Sequence, residues 1–85
     1  TKQLALDYAE AGIQVFGIAP GAVKTGMTAA DFEPDGLADW VASETPIKRW
    51  IEPEEVAEIS LFLASGKASA MQGQILTIDG GWSLK

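Results

Sequence analysis

The segment Pro20–Thr25 has the residue types and spacing of a ligand-binding loop, because it directly follows the apolar stretch Ile13–Ala19. If that stretch is a strand of an open α/β sheet, the segment lies at its carboxyl end, where ligands of such sheets bind. Gly21 permits close backbone approach, Val23 offers its backbone N–H and C=O to an amide group, and Thr25 offers a hydroxyl to an amide or a phosphate. On the residues alone, a plain strand-to-loop turn accounts for the same segment.

The sequence supplies no set of groups for acid–base or nucleophilic catalysis. The only tyrosine is Tyr8, and Gly12 rather than a lysine stands four residues later. We interpret Tyr8 as a core or helix-face aromatic, since it is spaced four residues from Leu4. Histidine and cysteine are absent, which excludes a Ser-His-Asp triad, histidine metal sites and thiolate chemistry. We therefore predict that this chain contains neither catalytic residues nor metal ligands.

The acidic composition excludes a further class of partner. Six Lys and Arg against twelve Asp and Glu give a net charge of −6, and the basic residues are scattered, so we expect no nucleic-acid partner. We interpret the acidic residues as helix-start charges (Glu54, Glu55) and as a solvated loop (Asp31, Glu33, Asp35). No apolar run approaches the ~20 residues that span a bilayer, so we expect no membrane partner. The absence of cysteine fits a reducing compartment, and we expect a cytoplasmic location.

The first half of the chain predicts a helix followed by a strand. Leu4, Tyr8 and Ala11 recur at helical spacing, which predicts a helix over residues 1–11, and Gly12 is a suitable residue to end it. The stretch Ile13–Ala19 places apolar groups on both faces, which is typical of a strand buried on both sides of a parallel sheet.

The second half predicts a long loop, a helix and a last strand. Residues 27–52 are irregular, with one or two helical turns near Leu37–Ala42, and a loop of this length in a compact domain is usually a functional lid or disordered. Pro53–Ser65 predicts a helix with proline at its first position and the stripe Val56, Ile59 and Leu63, which Phe62 widens. A last strand is predicted over Gln74–Asp79.

Two such strands do not make a stable sheet alone, because their edges would leave backbone N–H and C=O groups unpaired. We therefore predict an α/β fold in which this chain is part of a larger doubly wound parallel sheet. The alternative is a small α+β domain that pairs its two strands differently.

Four segments together carry a family resemblance: Gly12–Val15, Pro20–Thr25, Pro53–Ala57 and Gly73–Gly81. In this order and spacing they resemble the C-terminal part of the short-chain dehydrogenases/reductases. Each segment is weak evidence alone, whereas the ordered set is specific and covers nearly the whole chain. Phe16 departs from the pattern, since the family often has asparagine there, so packing or hydrogen bonding at this position must differ.

The resemblance implies that residues 1–85 are the C-terminal portion of a single Rossmann-like domain, comprising its last two strands and their flanking helices. It implies an NAD(P)-dependent oxidoreductase that transfers a hydride between NAD or NADP and a carbonyl or alcohol substrate. It also implies that the chain begins just past a catalytic Tyr-x-x-x-Lys motif. The acid–base and phosphate-binding groups would then come from the preceding N-terminal part of the domain, and the 85-residue chain alone would be inactive.

The resemblance also assigns roles to residues of this chain. Pro20, Gly21, Val23 and Thr25 would bind the nicotinamide side of the cofactor. Residues 27–52 would form a substrate lid in which Met27, Phe32 and Trp40 face the substrate, although their apolar side chains could equally pack on the sheet.

The remaining implications concern assembly and the competing hypothesis. The helix Pro53–Ser65 and the last strand would build an interface in a homodimer or homotetramer. A non-catalytic small α/β binding or assembly module is the alternative function. The sequence does not distinguish NAD from NADP, nor a sugar or polyol from a 3-oxoacyl thioester or a steroid-like alcohol as substrate.

Overall fold

A computed structural model describes residues 1–34 and 36–85 of this chain. Asp35, which belongs to the acidic residues of the predicted 27–52 loop, lies outside the described residues.

The described part of the chain forms a parallel two-stranded sheet of β1 (Gly17–Pro20) and β2 (Ile75–Ile78). Gly17 pairs with Ile75, and the register runs without a break to the pair of Pro20 with Ile78. The parallel pairing confirms the predicted α/β class. Both strands are shorter than predicted, and the Gln72 side chain bonds residues that precede β1. Its side chain accepts a hydrogen bond from the Val15 N–H at 3.0 Å and donates to the Ile13 carbonyl at 3.1 Å.

The first helix, α1 (Lys2–Tyr8), ends three residues earlier than predicted, and Gly12 turns the chain with a φ of +77°. Leu4 and Tyr8 are 53% and 46% exposed, whereas Ala5 is 3% exposed and packs against Gly73. Ala5 makes this contact because the backbone at Gly73 approaches α1 closely and leaves room only for a small side chain.

The segment between β1 and the next long helix is more regular than predicted. It contains the 3-10 helix Gly26–Phe32 and the helix α2 (Ala38–Glu44). Further short 3-10 helices, Ser69–Met71 and Trp82–Leu84, flank β2.

The helix α3 (Pro53–Ala64) begins at Pro53, as predicted, and ends one residue early. Its start is fixed by Glu55, whose carboxylate accepts a hydrogen bond from the Glu52 N–H at 3.0 Å. Leu63 is buried, but Phe62 is 43% exposed and does not widen the packing stripe as predicted.

The described residues enclose little core. Their buried apolar side chains are Ala5, Ile51, Leu63 and Ala68. The radius of gyration is 15.8 Å, whereas a compact domain of this length would have about 12 Å. Both strands are half-buried to exposed, so the prediction of a strand buried on both faces does not hold for this chain by itself. The faces of the sheet are uncovered in this chain. This agrees with the prediction that the chain is part of a larger doubly wound sheet, whose other elements would cover them. No helix in the described ranges has the length and apolar character needed to cross a membrane.

Candidate functional site

The turn Pro20–Thr25 leaves the sheet at the carboxyl end of β1. The Gly21 N–H donates to the Ile78 carbonyl at 2.9 Å and closes the backbone ladder with β2. A Cβ atom on Gly21 would stand 2.7 Å from the Asp79 Cβ and 2.9 Å from the Asp79 Cα. The close approach that Gly21 permits in this structure is therefore between the two strand ends.

Val23 presents backbone groups away from its pairing partner. It forms an isolated parallel bridge with Ile51, in which the Lys24 N–H donates to the Ile51 carbonyl and the Ile51 N–H donates to the Ala22 carbonyl, both at 2.9 Å. The N–H and C=O of Val23 consequently point to the opposite side. Among residues 1–34 and 36–85, the Val23 N–H donates no hydrogen bond. Val23 therefore offers an unused N–H donor beside its own carbonyl acceptor.

Thr28 holds the turn in shape, and the sequence interpretation missed it. Its hydroxyl oxygen accepts a hydrogen bond from the Thr25 N–H at 2.9 Å and lies 3.0 Å from both the Val23 and Thr25 carbonyl oxygens. The Val23 carbonyl keeps a second lone pair for another donor. Two threonines three residues apart at the start of a helical turn have the spacing of a capping box, and this signal could have identified Thr28.

Asp79, at the end of β2, is committed to its own turn. Its carboxylate accepts hydrogen bonds from the Gly81 N–H at 3.0 Å and the Ser83 N–H at 3.1 Å. Hydrogen bonding from Ser83, with a smaller contribution from Gly81, holds the pKa of Asp79 below its usual range. Asp79 therefore stays ionised as a structural acceptor and is not suited to donate a proton near neutral pH.

The predicted lid residues occupy different surroundings. Met27 is 97% exposed. Phe32 packs on Trp50, with ring centroids 4.9 Å apart, and the Lys24 Nζ lies 5.1 Å from the Phe32 ring centroid. Trp40, on α2, instead meets Trp82 edge-on at 6.3 Å. The structure thus does not bring these three predicted residues into one cluster.

An apolar cleft of about 370 Å³ lies at the carboxyl ends of both strands. Pro20 and Gly21 line it from the turn, Val41 from α2, and Trp82 from the segment after β2. Val23 and Thr25 are not among its lining residues. The four predicted cofactor residues are therefore divided, two at the cleft and two farther along the turn.

An ion pair joins the end of the 27–52 segment to α3. The Arg49 guanidinium binds the Glu55 carboxylate through both oxygens, at 2.6 and 3.0 Å. This hydrogen bond, together with that from the Glu52 N–H, lowers the pKa of Glu55 to about 2. The opposite formal charges of Arg49 and Glu55 offset each other, and the pair links the residues before α3 to the first turn of that helix.

The described residues bring no acid–base pair to the cleft. Tyr8 lies on α1 and is 46% exposed. No cluster of three or more potential metal ligands occurs within the described ranges.

Comparisons with known proteins agree with this geometry. The family model described as Enoyl-(Acyl carrier protein) reductase matches residues 1–83. The gluconate 5-dehydrogenase of Gluconobacter oxydans is 38% identical over 81 residues, which are 95% of this chain and 32% of that protein. The structure of a gluconate 5-dehydrogenase from Burkholderia cenocepacia in complex with NADP and tartrate superposes with a TM-score of 0.90 at 35% identity, over 100% of this chain and 33% of that one.

A second solved structure, 4-hydroxyisoleucine dehydrogenase complexed with NADH, has a TM-score of 0.92 at 29% identity and covers 100% of this chain and 35% of its own. The chain thus spans about a third of the length of the proteins that it matches. Since the family model covers nearly all of its residues, the chain belongs to this family of short-chain dehydrogenases/reductases.

Proposed function

We propose that the protein containing this chain is an NAD(P)-dependent oxidoreductase that transfers a hydride between a nicotinamide cofactor and a small carbonyl or alcohol substrate. In the reducing direction, the cofactor supplies a hydride that forms the new C–H bond at the carbonyl carbon, and a proton completes the alcohol. Membership of the family and the dehydrogenases among its relatives, one with NADP and one with NADH, support the proposal.

The backbone of Val23 is the observation that carries the proposal. A carboxamide, such as that of nicotinamide, has one acceptor oxygen and an NH₂ donor, which complement an N–H and a C=O on one residue. Val23 offers its N–H and a remaining carbonyl lone pair on the side away from Ile51. Thr25 would add its hydroxyl two residues later, while Pro20 and Gly21 shape the strand end that holds the turn.

The other roles divide between this chain and the rest of the protein. The acid that protonates the forming alkoxide would come from the preceding N-terminal part of the domain. Residues 27–52 would act as the substrate lid, with Met27, Phe32 and Trp40 as substrate-facing candidates. A lid serves hydride transfer because it excludes water from the reacting atoms.

The resemblance to the family is the ground for a homodimer or homotetramer built on α3 and β2, and exposed apolar groups there are available either to a second copy or to the preceding N-terminal part of the domain. Leu61 is 71% exposed and Ile75 is 50% exposed. Burial of such side chains against a second copy would contribute roughly 25 cal/mol per Å² of apolar surface.

Thr25 provides the direct test in the full-length protein. Thr25→Ala removes the hydroxyl, and Thr25→Ser is the matched control that keeps it. We expect Thr25→Ala to raise the Kd of NAD(H) or NADP(H) about tenfold, the effect of roughly 1.4 kcal/mol from one lost hydrogen bond. Quenching of protein fluorescence by the cofactor would measure the Kd, with substrates of the sugar, oxoacyl thioester and steroid classes assayed in parallel.

An unchanged Kd in Thr25→Ala would contradict the assignment of this residue to the cofactor. Failure of the full-length protein to bind either cofactor would overturn the oxidoreductase proposal and favour a non-catalytic module. The 85-residue chain alone is the negative control, since we expect it to show no turnover.

A further inference from the structure

The segment Asp79–Lys85 packs along the last part of the 27–52 segment. The Ile47 N–H donates to the Gly80 carbonyl at 3.2 Å. Side chains then cover the glycines so closely that an added Cβ would lie 2.7 Å from Ile47 at Gly80 and 3.1 Å from Pro46 at Gly81. The backbone after β2 therefore forms a seat for residues 45–47.

Trp82 extends this contact to α2. Its ring meets the Trp40 ring at 67° with centroids 6.3 Å apart, which is the edge-on geometry that aromatic pairs favour. Trp82 also lines the apolar cleft, as does Val41, the neighbour of Trp40 on α2. One side chain thus contacts α2 and forms a wall of the cleft.

Lys85 adds a polar connection at the end of α2. Its Nζ lies 2.8 Å from the Glu44 carbonyl oxygen, 3.3 Å from the Glu44 Oε2 and 3.7 Å from the Trp82 ring centroid. A cation at the last carbonyls of a helix satisfies acceptors that have no partner within the helix. Glu44 and Trp82 are therefore bridged by one ammonium group.

The segment itself is anchored to the sheet. The Asp79 carboxylate binds the N–H groups of Gly81 and Ser83, on both sides of Trp82, and Asp79 directly follows β2. The backbone on both sides of Trp82 is thus tied to the residue that directly follows the sheet.

We propose that Trp82 is a positioning residue, which sets the place of α2 over the cleft and thereby the fit of the substrate. Trp82 acts through its contact with Trp40 on α2 and takes no part in the chemistry. The effect on substrate rests on the proposed oxidoreductase function, whereas the hold on α2 does not.

Hydrogen–deuterium exchange of the full-length protein, without cofactor or substrate, tests the hold on α2. We expect Trp82→Ala to speed exchange of the amides in Ala38–Glu44 about tenfold, with α3 unchanged, because the aromatic contact is lost. Trp82→Phe should restore most of the protection. Leu84→Ala is the matched control, since Leu84 lies in the same turn and is 87% exposed. Unchanged exchange in α2 of a folded Trp82→Ala would overturn the proposal.

Steady-state kinetics tests the consequence for the substrate. We expect Trp82→Ala to raise the KM of the substrate about fivefold with kcat within about twofold, as for lost binding without lost chemistry. An unchanged KM would overturn this part. If Trp82→Ala does not fold, we expect Trp40→Ala and Lys85→Met each to speed exchange in α2, and normal exchange in either variant would overturn the proposal. A full-length protein without turnover would overturn the proposed function, while exchange would still decide whether Trp82 holds α2.

Discussion

The two halves of the 27–52 segment are held in different ways. The first half, Gly26–Phe32, is fixed at its start by Thr28 and at its end by packing of Phe32 on Trp50. The second half, Ala38–Ile51, is seated on residues from the far end of the chain, and it contains the buried residues Thr45 and Ile51, at 2% and 3% exposure. Local hydrogen bonds and one aromatic contact therefore hold the first half, whereas the segment that follows β2 positions the second.

This difference predicts which half moves. Segments with few buried contacts open at lower free energy than segments packed on a sheet. Met27 in the first half is 97% exposed. We expect the first half to be the movable part of the proposed lid and the second half to act as its support.

Gly80→Ala is the substitution that should disturb the second half most. Gly80 has a φ of +64°, and a Cβ there would lie 2.7 Å from Ile47 and 2.9 Å from Thr45. Backbone strain and overpacking together should lower the free energy of unfolding by about 3 kcal/mol. Denaturant unfolding of the full-length protein measures this loss.

Substitutions at Gly12 and Gly26 separate the effect of backbone strain on stability from that of overpacking. Gly12 has a φ of +77° but open space around it, so Gly12→Ala should cost only about 1 kcal/mol. Gly26 has neither a positive φ nor a neighbour within 4 Å, so Gly26→Ala should change stability by less than about 0.5 kcal/mol. Equal losses in all three variants would show that residues 45–47 are not seated on Gly80.

Thr28→Val should loosen the first half without affecting the second. The substitution removes the hydroxyl that bonds the Thr25 N–H and the Val23 carbonyl, and we expect a loss of about 1–2 kcal/mol. Because Val23 and Thr25 belong to the proposed cofactor turn, the cofactor Kd should rise several-fold. Thr28→Ser keeps the hydroxyl and should behave as wild type in unfolding and cofactor titration. Equal Kd values in wild type and Thr28→Val would show that the hydrogen bonds of Thr28 do not support cofactor binding.

Glu55→Gln should have the smallest effect, and one that depends on pH. The Arg49 hydrogen bond lowers the folded-state pKa of Glu55 from 4.5 to about 2. A lowered folded-state pKa contributes stability that is present above about 4.5 and is lost as the pH falls toward about 2. The melting temperatures of wild type and Glu55→Gln should therefore differ slightly near neutral pH and converge in acid. Glu58→Gln controls for the change in net charge, and a difference that persists at pH 2 would contradict the pairing.

The sequence predicted the parts of the fold that depend on local signals. The proline at the start of α3, the glycine turn at Gly12 and the parallel pairing of the two strands agree with the structure. It did not predict that Ala5 rather than Leu4 faces the protein, because that choice depends on the close approach of Gly73, far along the chain.

Contacts between residues far apart in the chain also account for what the sequence did not predict at the candidate site. The turn Pro20–Thr25 could be predicted from local signals, because Pro20 and Gly21 end the preceding strand. The contact of Trp82 with Trp40 joins residues more than forty positions apart, and no local pattern encodes it. Gln72, which bonds Ala5, Ile13 and Val15, lies between the predicted helix Pro53–Ser65 and the last strand, where the sequence predicted no element and no partner.

A crystal structure of the full-length protein with NAD(H) or NADP(H) bound would test directly whether Val23 binds the nicotinamide. We expect the nicotinamide carboxamide to accept a hydrogen bond from the Val23 N–H and to donate one to the Val23 carbonyl, each at about 2.9 Å. A carboxamide bound elsewhere, with both Val23 groups facing water, would contradict the assignment of this turn to the cofactor.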